Sequence, residues 1–324
     1  MAGHSILYLS RGDVERVNLP MQEIIGALEV MFREKGEGRT EMPPKPGIHT
    51  RPDAFIHAMP AYIPSLESAG IKWVAGYPRN IEKSLPYISG LLILNDPETG
   101  FPLAVMDCTW ITAMRTGAAT AVAAKYLARP DSSSVGIVAC GVQGRSNLEA
   151  LSCIFPVKEV KAYDIRPEAA LAYAAEMTGR LGVKVDAVTS AEAAVRNLDI
   201  VVTSGPILKH PTPTIPAGWL AEGSFASLVD YDSYWTGEAM READKLATDD
   251  KAQMEYTRCA GYFRDTPEPY ADLGEIAAGK KPGRESDREI TITINLGLAL
   301  DDMATAILIY RRAIATGIGR ELPL

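Results

Sequence analysis

Cysteine and histidine are scarce in this chain, four of each in 324 residues. Cys108, Cys140, Cys153 and Cys259 show no C-x-x-C spacing, which excludes a zinc ribbon or a redox pair and argues for reduced thiols. His4, His49, His57 and His210 are too scattered to make a helical metal pair, so no metal is expected. Positive charge is also in deficit: 33 Lys and Arg face 41 Asp and Glu, for a formal net charge of −8. Without a long Lys/Arg run, neither nucleic acid nor an anionic membrane is a fitting main partner, and a small molecule is expected instead. No apolar run approaches the roughly 18 residues of a spanning helix. The opening MAGHSILYLS has neither a basic flank nor a cleavage pattern, so a cytoplasmic location is expected. Internal repeats and low-complexity tracts are missing as well.

What is present is apolar content, 47% of the chain, enough for two packed cores at this length. Apolar positions from Val14 to Phe32 suit one or two helices broken at Pro20. EGRTEMPPKPGIHTRPD, rich in Pro and charge, reads as a loop. AFIHAMPAYIP, AGIKWVAGYP and SGLLILND read as strands of a first domain. TWITAMRTGAATAVAAKYLAR, Thr109 to Arg129, reads as an alanine-rich helix stopped by Pro130-Asp131. The division is expected there: a first domain over 1–130, completed by a C-terminal helix over 298–324, and a second over 131–297.

The second domain is organised around VGIVACGVQGRSNLEA, where a buried-strand pattern meets an amphipathic helix through a glycine turn. Gly141, Val142, Gln143 and Gly144 would offer backbone N–H groups to a pyrophosphate at a helix N-terminus. The usual dinucleotide fingerprint has three glycines, and Ala139 stands at the first position. EVKAYDI reads as the next strand and ends in Asp164, about twenty residues beyond the turn, where a carboxylate would accept both adenosine ribose hydroxyls. That carboxylate disfavours a 2′-phosphate, which points to NAD(H), while neighbouring Arg166 leaves room for both cofactors. PEAALAYAAEMTGRLG, VKVDAVT, SAEAAVRNL and DIVVTSG continue a strand and helix alternation. A proline-rich loop and the strand GSFASLVD follow, and then KLATDD and EITITINLG. The fold class is therefore α/β in two domains: a Rossmann-type doubly wound parallel sheet, and an α/β substrate-binding and dimerisation domain with a mixed sheet. The few apolar strands of the first domain would leave an uncomfortable edge in a monomer, so a homodimer is expected.

Three cations stand out as partners for a charged substrate. Lys72 interrupts the apolar strand IKWVAGY and is either an outward-facing edge lysine or a cleft cation. Arg115 lies in MRTGAAT and is either a plain surface arginine or a ligand-binding cation, its small neighbours letting something approach closely. Lys45, in PPKPG, is either a solvated loop lysine or a third member of the set.

In order and spacing, MPPKP, MPAY, GIKWV with a following Pro-x-Asn, LILNDPETGFPLAVMD, ITAMRTGAAT, VACGVQGR, DLGEIAAGKKPGR and LGLALDD resemble the ornithine cyclodeaminase and mu-crystallin family nearly end to end. The resemblance implies a dimeric two-domain protein with a nicotinamide cofactor and hydride exchange at an amino or imino carbon. It implies that Lys72 and Arg115 bind the substrate carboxylate, with Lys45 where the family usually has arginine. It puts a catalytic aspartate in LVDYDSYW, where Asp230 is favoured over its rival Asp232, and it sets Thr203 and Ser204 beside the nicotinamide. Arg79 near Lys72, and His49, Arg51 and His57 near Lys45, would suit a second substrate carboxylate if they faced the pocket. The expected activity is NAD(H)-dependent imine reduction or amino acid dehydrogenation on a small α-imino acid, with iminosuccinate among the candidates. Ornithine cyclodeamination, and mu-crystallin-like ligand binding without turnover, are the alternatives.

Overall fold

Ser10 and Pro20 set the first helices of the computed structural model, which describes residues 4–324. After strand β1 (Ser5–Leu9), the Ser10 hydroxyl accepts the Asp13 N–H and the Asp13 carboxylate accepts the Ser10 N–H, a reciprocal cap that opens α1 (Arg11–Arg16). Pro20, with no N–H to satisfy, is the N-cap of α2 (Met21–Glu37). Ile24, Leu28, Met31 and Phe32 on one face of α2 are fully buried. Strands β2 (Gly47–Ile48), β3 (Phe55–Ile63), β4 (Ser68–Gly76), β5 (Ile88–Asn95) and β6 (Pro102–Asp107) follow, and then the long helix α3 (Thr109–Leu127). The sequence pattern marks β3, β4 and β5. It does not mark β1, which is only five residues long and has no clean alternation of buried and exposed positions.

The chain divides into two units, one running to Arg115 and resuming over Leu298–Leu324, the other spanning Thr116–Gly297. The change of unit thus falls inside α3, ahead of the expected division after residue 130, because the helix continues unbroken across it. The first unit is completed by α9 (Ala299–Thr316) and β15 (Arg320–Pro323). The last residues were expected to prolong that helix. They do not, since Gly317 caps it in the left-handed region (φ 63°) and the chain turns to pair β15 antiparallel with β1. The seven strands run β15-β1-β6-β5-β4-β3-β2, with β1 and β6 parallel and the rest antiparallel, and α9 packs on β3, β4 and β5 and against α2.

The second unit holds β7 (Ser134–Val138), α4 (Val142–Ser152), β8 (Glu159–Tyr163), α5 (Pro167–Leu181), β9 (Lys184–Ala187), β10 (Ile200–Thr203), β11 (Phe225–Leu228), α6 (Gly237–Arg241), β12 (Lys245–Thr248), α7 (Lys251–Cys259), β13 (Ala271–Asp272), α8 (Leu273–Ala277) and β14 (Thr291–Ile294). All eight strands are parallel, ordered β13-β12-β14-β11-β10-β7-β8-β9. The order reverses between β7 and β10, so the carboxyl ends of these two strands flank the switch point where such sheets bind ligands.

Ser190–Leu198, expected as a helix, is instead a succession of turns. Ala194 and Val195 donate three residues back, to Ala191 and Glu192, and Asn197 takes a positive φ of 57° that ends any helix. The segment lies directly on β7: a methyl built on Gly136 would sit 1.9 Å from the Ala194 carbonyl oxygen. Both groups are backbone, so neither can swing aside. Gly136→Ala should therefore cost about 1–3 kcal/mol or more by overpacking, seen as a lower urea midpoint at unchanged slope. An unaltered midpoint would contradict this packing.

Candidate active site

In the first unit, strand register decides what Lys72 faces. β4 lies between β3 and β5, with Lys72 opposite Met59 on one side and Leu92 on the other. Alternation turns Trp73 outward and Lys72 inward, where it is 1% exposed. The edge-lysine alternative is thereby removed. Its Nζ lies 2.6 Å from Asp302 Oδ2 and 3.5 Å from the Thr112 hydroxyl. Arg115, also buried, sends Nε to within 3.2 Å of Asp302 Oδ1 and Nη1 to within 3.3 Å of Asp301 Oδ2. Asp301 also accepts the Leu298 N–H at the start of α9. Lys72 and Arg115, expected together, thus meet over two acids that were not expected. LGLALDD carried the signal: two adjacent acids opening a helix whose first nine residues are all buried.

Burial dominates the electrostatics of this cluster. It draws Lys72 down to about 8, against the upward pull of Asp302, and it raises Asp301 to about 6, against the downward pull of Arg115. On β3, His57 falls to about 3, through burial first and then the charges of Lys45, His49 and Lys72, so its ring is neutral. Pairing of β2 with β3 brings the Lys45 loop to this neighbourhood: the Ala58 N–H donates to the Pro46 carbonyl, and Gly47 packs against the His57 ring. Arg79 does not join them. It is 89% exposed and faces Glu82 at 3.5 Å. Arg51 is exposed and donates to the Thr50 carbonyl.

In the second unit, the glycine turn has the expected strand and helix around it. Gly141 is the N-cap of α4, in extended backbone and, among the described residues, with no side-chain cap hydrogen bond. A Cβ at Gly141 would meet nothing within 4 Å, whereas one at Gly144 would press on the Ala139 carbonyl at 2.7 Å. Gly144 thus serves the packing of α4, and Gly141 leaves open space at the helix N-terminus. Ala139 adopts the left-handed φ of 77° that a glycine would take without strain. It is held by its N–H to the Tyr163 carbonyl and by its carbonyl to the Ser204 hydroxyl. Arg145, which the sequence pattern did not single out, donates to the carbonyls of Cys140 and Gly141 and braces the turn from behind. The small residues after Arg115 have a structural partner: a Cβ at Gly117 would lie 2.3 Å from the Ser146 carbonyl of α4.

Asp164, just past β8, accepts the Cys140 N–H at 2.9 Å and the Arg166 N–H at 3.0 Å. Its carboxylate is therefore aimed across the turn, with the exposed Arg166 head 3.7 Å away. Val142 and Ile165, 65% and 79% exposed, leave apolar surface beside it. Two expected residues are placed otherwise. The Thr203 hydroxyl is fully buried, donating to Asp230 and accepting from the Trp235 indole, so it faces the core and not a ligand. Asp230 is likewise fully buried, one oxygen taken by Thr203 and the other by the Gly205 N–H. Burial raises it to about 7. Asp232 is buried too and accepts the Thr266 hydroxyl, while its other oxygen has no hydrogen-bond partner among the described residues.

Comparison with known proteins accords with this architecture. The chain is 39% identical to the alanine dehydrogenase of Archaeoglobus fulgidus over 328 residues, covering 98% of each. Among solved structures it resembles the Δ1-pyrroline-2-carboxylate reductase of Thermococcus litoralis in complex with NADH and L-proline, with a TM-score of 0.89 at 37% identity over 98% of this chain and 100% of that one. An archaeal alanine dehydrogenase dimer with bound NAD gives 0.88 at 37% identity, over 99% and 100%. The model of the ornithine cyclodeaminase/mu-crystallin family matches residues 7–317, and the chain belongs to that family.

Proposed function

We propose that this protein is an NAD(H)-dependent imine reductase or amino acid dehydrogenase that interconverts a small α-imino acid and the L-α-amino acid. The observation that carries the reading is the pair of buried cations, Lys72 and Arg115, meeting at Asp302 in a chain whose other unit offers a nucleotide turn. The similarity to alanine dehydrogenase and Δ1-pyrroline-2-carboxylate reductase supports it.

In this reading the N–H groups of Val142, Gln143 and Gly144 hold the cofactor diphosphate at the open N-terminus of α4. Asp164 accepts the adenosine ribose hydroxyls and repels a 2′-phosphate, with Arg166 softening that repulsion. Ser204 supports the turn beside the nicotinamide. When bound, the cofactor supplies or takes the hydride at the substrate α-carbon. Lys72 and Arg115 orient that carbon by gripping the substrate carboxylate, with Lys45 as a third cation. Hydride added to an imine already protonated on nitrogen yields the amine directly, so Asp230 need not touch the substrate and acts by shaping the loop after β10.

Charge favours a substrate with one carboxylate. The cations at the buried cluster are Lys72 and Arg115, and the neutral His57 adds none. A dicarboxylic imine such as iminosuccinate needs a further cation, and Arg79 is turned to solvent. Cyclodeamination of ornithine needs an acid for the distal ammonium, and both buried acids here are engaged with Lys72 and Arg115.

The deciding experiment follows NADH loss over a panel of imines: pyruvate with ammonia, a cyclic imino monocarboxylate, and oxaloacetate with ammonia. Turnover is expected with monocarboxylic members, and Arg115→Ala should lose on the order of 2–5 kcal/mol of it, about thirty- to several-thousand-fold in kcat/KM. Arg115→Lys, which keeps the charge without the fork, should recover only part, and NADH affinity should hardly change in either variant. No turnover with any imine, or loss of NADH binding in Arg115→Ala, would sink the assignment.

For the cofactor, Asp164→Ser should move the ratio of NADPH to NADH efficiency toward NADPH. Equal use of both by the unaltered protein would count against the role of Asp164.

We further propose a homodimer formed through the outer face of the first unit's sheet. Trp73 and Leu91, paired across β4 and β5, are 48% and 47% exposed, with Ile93 beside them at 36%. So contiguous an apolar surface on central strands calls for a cover. Light scattering should report twice the chain mass, and Trp73→Glu should halve it; a monomeric unaltered protein at micromolar concentration would contradict the proposal.

A further inference from the structure

We propose that Asp302 is a positioning residue for substrate binding, a single carboxylate that holds Lys72 and Arg115 together and keeps Lys72 charged. The inference rests on the reading above, in which those two cations receive the substrate carboxylate.

Its geometry is unlike that of its neighbour. Asp301 closes the N-terminus of α9 by accepting the Leu298 N–H, as the acid three residues after an N-cap does. Asp302 caps nothing. Among the described residues no backbone N–H and no hydroxyl donates to either of its oxygens, and the side chain is 0% exposed. Each oxygen instead faces one cation, Oδ2 toward Lys72 on β4 and Oδ1 toward Arg115 on α3. A well-packed apolar side chain at such a site is often as stable as a buried ion pair, so stability alone gives a weak reason for an acid here. What the acid does is bring two cations from different elements to one point, with a shared counter-charge beneath them.

The two cations depend on it unequally. A guanidinium stays protonated in any protein setting, whereas a buried ammonium readily loses its proton. The groups facing Lys72 are Asp302 and Asp301 from α9, Arg115 and Thr112 from α3, Cys108 just before α3, and His57 from β3, beyond which lies Lys45. Burial lifts the Cys108 thiol to about 11, so it is neutral, and His57 is neutral at about 3. With that thiol neutral, the upward pull on Lys72 comes from Asp302. Asp302 is in direct contact, while Asp301 spends its charge on Arg115.

The sign follows. Lys72 is protonated below its pKa, which burial has already brought to about 8. Removing the Asp302 charge lowers that pKa further, so Lys72 becomes neutral across a wider alkaline range, and substrate affinity goes with its charge. Arg115 remains charged throughout and keeps a residual grip.

Two measurements test this. The first is the titration of Lys72 in cofactor-free protein carrying 13C at the lysine ε-carbon, the resonance being identified by its loss in Lys72→Arg. The midpoint should lie near 8 in the unaltered protein, fall by about one unit or more in Asp302→Asn, and stay in place in Asp302→Glu, where one unit is tenfold in protonation. The second is the pH profile of kcat/KM on the preferred imino acid. In Asp302→Asn its alkaline limb should move toward acid by the same amount, with the loss appearing mainly in KM.

An unmoved Lys72 midpoint in folded Asp302→Asn overturns the proposal, as does a moved midpoint with an unmoved pH profile. Should Asp302→Asn fail to fold, the apolar replacement Asp302→Leu, which can pack at such a site without a charge, is titrated in its place, and an unmoved Lys72 midpoint there overturns the proposal. If the imine panel shows no turnover, the reading of function fails, while the titration still reports whether Asp302 governs Lys72.

Discussion

Four ionisable side chains out of water, Lys72, Arg115, Asp301 and Asp302, form the constraint on which the first unit depends. Breaking one partner of such a buried set costs about 3–5 kcal/mol, a large share of the 5–15 kcal/mol that typically holds a protein together. Central strand β4, the first turns of α3 and the N-terminus of α9 must therefore stay in register with one another. Ser68, on the same strand as Lys72, adds a second tie by donating to the Met303 carbonyl of α9 at 2.8 Å. The same constraint has a chemical use, since a cation held by a fixed counter-charge cannot turn away when a ligand arrives and loses little freedom on binding.

In the second unit the comparable constraint is backbone. A left-handed alanine costs roughly 1–2 kcal/mol relative to glycine, and the turn tolerates Ala139 because it is tied from both sides, to Tyr163 at the end of β8 and to Ser204 at the end of β10. Asp164 and Arg145 hold the same turn through Cys140 and Gly141. A loop with that many ties keeps its amides oriented whether or not a ligand is present, which is the preorganisation that anion binding at a helix N-terminus requires.

Much of this architecture was legible locally. The Val135–Ala150 stretch carries a change of apolar period from strand to helix, and both elements are where that change puts them. Pro20 separates two helices for the local reason that it has no N–H. Where local reading failed, a longer-range fact intervened. Ser190–Leu198 has helical composition, but the space against Gly136 admits only a tight succession of turns. The final residues look like more helix, but β15 finds an open strand edge on β1. Thr203 and Asp230 look like strand-end groups open to a ligand, but Trp235, 32 residues on from Thr203, caps that hydroxyl and helps seal the pair into the core.

By itself the sequence determined the α/β class, the parallel second unit, the glycine turn with Asp164 beyond it, and the identity of the cations, because each of these is written in residue type and short-range period. Only the tertiary structure decided what those cations meet. LGLALDD lies 186 residues from Arg115 in the chain, and no spacing rule links an acid pair at the start of one helix to an arginine on another and a lysine on a strand. Three-dimensional packing joins them, because charges so deeply buried are stable only in contact with their opposites.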